Sequence, residues 1–220
     1  MTTLLNYLGD QHGSLWWGGY GVSTEHTAYL NLKSGISPPL SGSIQLNGVT
    51  LAEQIGGQIF SDIWGLLAPN DPHKAANYAQ KASSVTHDRN GIFGGMFIAG
   101  MVSAAFSCTN PTDIIKSALS VIPSESEYAR RLKERISSQR GNSSDWRVCC
   151  EYIHQNFGYD RYSGMVPIIP NATIIVMGLL YGEGDFSNSI QIANMGGWDT
   201  DCNVGNVGAV MGVSKGVKGI

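Results

Sequence analysis

The chain has 220 residues, enough to bury a substantial core within one domain. Hydrophobic residues make up 42% of it and charged residues only 14%, with a net charge of −3. Because there is no basic block, nucleic acid is not expected as a partner. The apolar stretches are broken by Gly, Ser, Asn or Thr before they reach the roughly 20 residues of a membrane span, so no membrane association is expected.

The first residues and the cysteines predict a cytoplasmic protein. Residues 1–20 contain Asp10, His12 and several glycines instead of a basic start and an apolar run, which differs from a signal peptide. The four cysteines form no C-x-x-C pair, and Cys149 and Cys150 are adjacent, which makes them awkward disulfide partners. A reduced, cytoplasmic setting is therefore expected.

Helix signals begin after an irregular start. Residues 1–21 show no steady period, and Trp16 and Trp17 fit either a core or a pocket wall. Residues 23–33 predict a helix. Residues 34–48 contain two prolines, three glycines and four serines, and they predict a long loop.

The rest of the chain continues the helical pattern. The capping box at 50–53 predicts a helix start, and its buried stripe repeats every four residues at Leu51, Ile55, Ile59 and Ile63. Residues 92–106 are apolar nearly all round and predict a central buried helix. Other helix signals begin at Asp71-Pro72, Asn110-Pro111, a second capping box at 124–127, and residues 144, 170 and 185. No segment alternates like a strand, so the predicted fold is all-α, a compact multi-helix single domain over residues 1–220.

The stretch Gly196–Asn203, with the sequence GGWDTDCN, carries the strongest chemical signal. Asp199 and Asp201 offer hard oxygen ligands of the type that Mg²⁺, Mn²⁺ or Ca²⁺ prefers. The small residues at 204–212 predict a closely packed helix, whose N-terminal end suits carboxylates, phosphates and ribose oxygens. A structural interpretation stays open, because a capping Asp followed by a first-turn Asp would explain both acids without a metal.

The same stretch resembles the C-terminal metal motif of the ADP-ribosylglycohydrolase family. Residues 23–32, 53–62 and 86–95 agree with this family in order and spacing, and the resemblance covers most of residues 20–213. It implies an all-α domain with a two-metal site, usually for Mg²⁺ or Mn²⁺. It also implies hydrolysis of an N- or O-glycosidic bond to the anomeric carbon of ADP-ribose, so the implied partner is ADP-ribose or an ADP-ribosylated substrate.

The resemblance assigns roles to particular residues. Asp199 and Asp201 match metal ligands and are the predicted catalytic residues, and Cys202 occupies a position where many members have a threonine ligand. The positions matching substrate contacts are Gly196, Gly197, Trp198, His87, Asn90 and Gly91. For His87, helix capping is an equal alternative.

Two departures from the family bear on the metal. A thiol is a poorer partner than a hydroxyl for a hard cation, which affects the second metal. Family members also carry an N-terminal Thr-Asp-Asp-Thr motif that supplies the other ligands, whereas this chain has no adjacent pair of aspartates. The chain is therefore expected to be the central and later part of a family domain, with its general base unidentified. The acids that could substitute as ligands are Asp62, Asp88 and Asp10.

Three functions stay open on this evidence. The first is a metal-dependent hydrolase of a glycosidic bond to ADP-ribose. The second is a non-catalytic binding or structural protein on a decayed hydrolase scaffold, since a fold does not guarantee activity. The third is a hydrolase of a simpler nucleoside or glycoside. Free N–H groups beside Gly196, with room for a phosphate, would favour ADP-ribose over the simpler substrate.

Overall fold

The computed structural model describes residue 12 and residues 16–139 and 145–220. Within these ranges the fold is all-α, as the sequence predicts, and the only extended pairing is an isolated bridge between Gln54 and Pro167. None of the helices in the described ranges is both long and apolar enough to cross a membrane.

The helices are numbered here in chain order. Their bounds are α1 Thr24–Lys33, α2 Ile44–Asn47, α3 Val49–Ala52, α4 Gly56–Ile59, α5 Asp62–Leu66, α6 Pro72–Ser83, α7 Asn90–Ala104, α8 Pro111–Leu119, α9 Glu127–Gln139, α10 Trp146–Phe157, α11 Ile168–Tyr181, α12 Phe186–Met195 and α13 Thr200–Lys215. Two 3₁₀ turns complete the described structure, at Leu40–Gly42 and Val217–Gly219.

Two apolar helices, α7 and α11, form the centre of the molecule. Nearly every residue of both is buried, which explains why their sequences show no polar face. Phe97 of α7 packs edge-on against Tyr128, with ring centroids 5.7 Å apart, and both side chains are fully buried. The prediction of a central buried helix at 92–106 is thereby confirmed, with the observed bounds Asn90–Ala104.

Side-chain caps fix the start of most outer helices. Asp71 accepts a hydrogen bond from the Lys74 backbone N–H at 3.0 Å, and Asp185 accepts one from Asn188 at 2.8 Å. The second predicted capping box is displaced by two residues. Its Ser126 hydroxyl, instead of Ser124, accepts from a first-turn N–H, and α9 begins at Glu127.

The predicted helix from Thr50 is wrong in its continuity. The structure breaks this segment into α3, α4 and α5, and Ile63 of the predicted stripe is exposed. The break arises because the Ile55 N–H donates to the Val166 carbonyl and the Ile168 N–H donates to the Glu53 carbonyl. These bonds tie the segment to the chain just before α11 and leave residues 54–56 along a cleft. The predicted loop at 34–48 likewise contains a 3₁₀ turn and α2.

Candidate functional site

A cleft of about 320 Å³ lies between the N-terminal ends of α1 and α13 and the segment around α4. Four of its lining side chains are ionisable: Glu25, Asp199, Asp201 and Cys202. Among the described residues that line it, none is a lysine, arginine or histidine. Phe60 and Met165 add apolar surface and are 64% and 62% exposed. The cleft therefore combines an acidic end with an apolar rim.

The predicted metal motif forms one compact donor cluster. A carboxylate oxygen of Asp199, one of Asp201 and the sulfur of Cys202 lie within 4.8 Å of one another. Asp199 occupies the N-cap position of α13, yet its carboxylate makes no capping hydrogen bond. It instead accepts a hydrogen bond from the Cys202 thiol. Asp199 therefore has the position of a helix cap, but its carboxylate does not cap the helix.

A strained turn presents these acids to the cleft. Gly197 and Trp198 both have positive φ angles, of 81° and 58°, and the second is unusual for a residue with a bulky side chain. The Trp198 ring is stacked with His154, with centroids 4.2 Å apart, and with Tyr159, at 5.1 Å. His154 also bonds through Nε2 to the Gly196 carbonyl at 2.8 Å. These contacts stabilise a backbone conformation that would otherwise be costly.

Asn171 of α11 connects this turn to the buried centre. Its Oδ1 accepts from the Asp199 N–H at 3.3 Å and from Asn203 Nδ2 at 2.9 Å. Its Nδ2 donates to the Tyr159 hydroxyl at 2.7 Å. The fully buried amide therefore fixes both the start of α13 and one of the rings beside Trp198.

Burial, together with crowded carboxylates, raises the pKa values of groups in the cleft. Burial raises the pKa of Asp199, and the neighbouring charge of Asp201 adds to this effect. Burial also raises the pKa of the Cys202 thiol well above its ordinary value, and the hydrogen bond to Asp199 and the charges of Asp199, Asp201 and Glu25 act in the same direction. A bound cation would relieve this repulsion, and the chemistry of the donor set fits one.

Glu25 is a candidate site residue that the sequence analysis did not name. It lies in the first turn of α1 and lines the same cleft as Asp199 and Asp201. Burial raises the pKa of its carboxyl, opposed by hydrogen bonds from its own backbone and from Ser23. The residues Thr24-Glu25-His26-Thr27 keep two threonines at the spacing of the Thr-Asp-Asp-Thr motif, with Glu and His at the middle positions. This spacing of the two threonines could have pointed to Glu25 from the sequence.

His26 does not act as a second acid. Its Nδ1 accepts a hydrogen bond from the Gly19 N–H at 3.0 Å, and its ring meets the edge of Trp17. The Thr27 hydroxyl donates to the Ser23 carbonyl at 2.7 Å. Among these four residues, Glu25 alone brings a carboxylate to the cleft.

The acids proposed as substitutes lie elsewhere. Asp62 accepts from Asn206 Nδ2 at 2.9 Å, and Asp88 accepts from the Ile44 N–H at 3.0 Å, where it caps α2. Neither is among the residues that line the cleft. Asp10 lies outside the described residues.

Gly196, Gly197 and Trp198 support the turn and do not line the cleft. The Gly196 N–H donates to the Ile192 and Ala193 carbonyls, and the Gly197 N–H donates to the Asn194 carbonyl. These N–H groups are therefore already engaged at the end of α12. The substrate-binding role predicted for the three residues stays a prediction.

His87, Asn90 and Gly91 lie behind the cleft wall. His87 is 1% exposed, its Nδ1 is 2.6 Å from the Thr86 hydroxyl, and burial lowers its pKa to about 3, so the ring is neutral. Its ring backs onto Gly56, which lines the cleft. Asn90 Nδ2 donates to Glu53 at 3.0 Å, while Gly91 packs against the Ala52 carbonyl. Their predicted contact with substrate stays a prediction.

The buried carboxyl of Asp62 should make stability depend on pH. Burial raises its pKa to about 6, and the bond from Asn206 opposes the rise. Since the unfolded chain loses this proton near pH ~4, the native state holds more protons between pH ~4 and about 6 and loses stability as the pH rises. In the wild type this group should lower the free energy of unfolding by an amount on the order of 1–2 kcal/mol between pH 4.5 and 6.5, and Asp62→Asn should remove this decrease. Urea unfolding at pH 4.5, 5.5 and 6.5 measures it, and parallel pH profiles for both proteins would contradict it.

Comparison with known proteins identifies a family for this helical chain. The chain matches the family model of the ADP-ribosylglycohydrolases over residues 2–220, a range that extends to both sides of residues 20–213. It therefore belongs to the ADP-ribosylglycohydrolase family, which places it among hydrolases of this type. No curated protein and no solved structure matches the chain.

Proposed function

We propose that the protein hydrolyses a glycosidic bond to the anomeric carbon of ADP-ribose, using a divalent cation held in the cleft. The observation that carries this proposal is the convergence of Asp199, Asp201 and Cys202, with Glu25 lining the same cleft. The family's usual cations, Mg²⁺ and Mn²⁺, would take oxygen ligands from the two aspartates.

Each acid has a role in this mechanism. A cation, when bound, would orient the attacking water and stabilise negative charge that develops on oxygen during the reaction. Asp199 and Asp201 would hold it, with their geometry fixed by Asn171 and the start of α13. Glu25 would accept the proton of the attacking water, because its carboxyl lines the same cleft and burial, which raises its pKa, makes it a stronger base than an exposed carboxyl.

A second candidate is the hydrolysis of a simpler, phosphate-free nucleoside or glycoside. The described cleft lining offers no Lys, Arg or His to a diphosphate, and the N–H groups of Gly196 and Gly197 are bonded to carbonyls of α12. The exposed ring of Phe60 and the exposed side chain of Met165 would instead suit an apolar or aromatic group next to the sugar.

A substrate panel separates these functions. The metal-loaded protein is incubated with peptides ADP-ribosylated at arginine or serine, and with purine and nicotinamide nucleosides. Release of ADP-ribose that chelation and Glu25→Gln both abolish supports the first proposal. Release of base from nucleosides alone supports the second. If the folded, metal-loaded protein cleaves neither class, the hydrolase proposal is overturned in favour of a non-catalytic protein.

A further inference from the structure

The sulfur of Cys202 is itself one of the three clustered donor atoms. It lies within 4.8 Å of a carboxylate oxygen of both Asp199 and Asp201, and its thiol donates to Asp199. The residue is partly exposed at the cleft surface, in the first turn of α13. A cation bound between the two aspartates would therefore meet a sulfur ligand, with the thiol proton released to solvent.

We propose that this cleft selects a thiophilic divalent cation, such as Zn²⁺ or Co²⁺, over Mg²⁺, with Cys202 as a direct ligand beside Asp199 and Asp201. The inference rests on the proposed function, because it concerns the same cation site. Thiolate is a soft donor that favours such cations, whereas Mg²⁺ is hard and takes oxygen ligands.

The type of donor leads to the same conclusion. Mg²⁺ completes an octahedron of oxygen ligands with water and does not suit a sulfur donor, while Zn²⁺ is commonly held by three protein ligands, cysteine among them, and leaves a fourth position open for water or substrate. Asp199, Asp201 and Cys202 provide such a set of three. The other acids considered as oxygen donors, Asp62 and Asp88, are engaged by Asn206 and by the Ile44 N–H and do not line the cleft.

The remaining cysteines allow a clean control. Cys108, Cys149 and Cys150 form no disulfide, and none of them lines the cleft. Cys150 is the best matched control for Cys202, since it is also partly buried and its sulfur is 3.9 Å from the Gly196 carbonyl. A sulfur-to-metal signal that disappears in Cys202→Ser but persists in Cys150→Ser must therefore come from Cys202.

Cobalt spectroscopy and calorimetry together test the proposal. The metal-free protein is titrated with Co²⁺ while near-ultraviolet absorption is followed, and with Zn²⁺, Mn²⁺ and Mg²⁺ in a calorimeter. We expect a thiolate-to-cobalt charge-transfer band, absent in Cys202→Ser, and tighter binding of Zn²⁺ than of Mg²⁺. The serine variant should lose at least about 10-fold in Zn²⁺ affinity, since even outer-sphere changes cost that much. Cys202→Thr, which restores a hydroxyl, should shift the preference toward Mn²⁺ and Mg²⁺.

The outcomes distinguish this inference from the proposed function. Mg²⁺ or Mn²⁺ binding as tight as that of Zn²⁺, without a charge-transfer band, overturns the sulfur ligand but leaves a metal-dependent hydrolase intact. Absence of binding for all four cations overturns both. Unchanged circular dichroism and thermal unfolding of the metal-free variants confirm that the comparison concerns folded proteins.

Discussion

Replacement of Asp201 by asparagine should abolish cation binding and any glycosidic hydrolysis. The side chain is exposed in the cleft and supplies one of three clustered donor atoms. An amide keeps the size of this group but removes its charge. Because changes outside the ligand shell already cost 10–100-fold in metal affinity, loss of a ligand should cost at least about 100-fold.

Stability should respond differently from binding. The substitution removes a negative charge from the first turn of α13, where it interacts favourably with the helix dipole, but also removes repulsion on Asp199. These effects oppose each other, so we expect the free energy of unfolding without metal to change by less than about 1 kcal/mol. Calorimetric titration and urea unfolding of the same preparation measure the two quantities.

Asp113→Asn provides the matched control. Asp113 is also a first-turn aspartate, in α8, but it is exposed and paired with Lys116 at 3.1 Å. It should leave cation affinity unchanged. If Asp201→Asn binds the cation within about threefold of the wild type, a ligand role for Asp201 is excluded, because such a difference is far below the cost expected for a lost ligand.

The sequence was sufficient for the part of the site that is local in the chain. Asp199, Asp201 and Cys202 lie within four consecutive residues, so a turn and the first turn of one helix bring them together. The apolar character of α7 and α11 likewise required no tertiary information, because a helix without a polar face has to be buried.

Glu25 could not be placed by local reasoning. Its place in the same cleft as Asp201 depends on the tertiary fold, which brings the first turns of α1 and α13 to one cavity, and no part of the acidic motif was expected at this position from the sequence. The contacts of Trp198 have the same origin. His154 and Tyr159 come from α10 and the loop after it, and no spacing within Gly196–Asn203 indicates that rings from another helix would stabilise its turn.

The break after Ala52 was missed for a related reason. The apolar repeat from Leu51 to Ile63 satisfies a helix, but the Gly56-Gly57 pair within it allows a close approach between α4 and α7. The backbone bonds from Ile55 and Ile168 then outweigh the local preference. The consequence for function is direct, since the broken segment supplies Gln54, Ile55 and Gly56 to the cleft wall.

Substitution of Gly57 by alanine tests how strongly this close approach supports the fold. A methyl group on Gly57 would overlap the Gly91 carbonyl oxygen and lie 2.8 Å from its carbonyl carbon, and both belong to rigid backbone. A methyl group added at Gly95 of α7 would likewise lie 2.5 Å from the Gly57 carbonyl oxygen. Since backbone cannot rotate away as a side chain can, α4 and α7 would have to separate. We expect a loss of about 3 kcal/mol or more in the free energy of unfolding, at the upper end of overpacking effects.

Gly208→Ala is the matched control for this prediction. Gly208 lies within α13, where an added methyl group would meet only the tip of Ile190, at 3.5 Å, an ordinary contact. Alanine favours a helix over glycine by roughly 0.5–1 kcal/mol, so this variant should be slightly more stable than the wild type. Urea unfolding of both variants decides the matter. If Gly57→Ala unfolds at the same urea concentration as the wild type, the contact between α4 and α7 is not tight, and the explanation given for the broken helix fails with it.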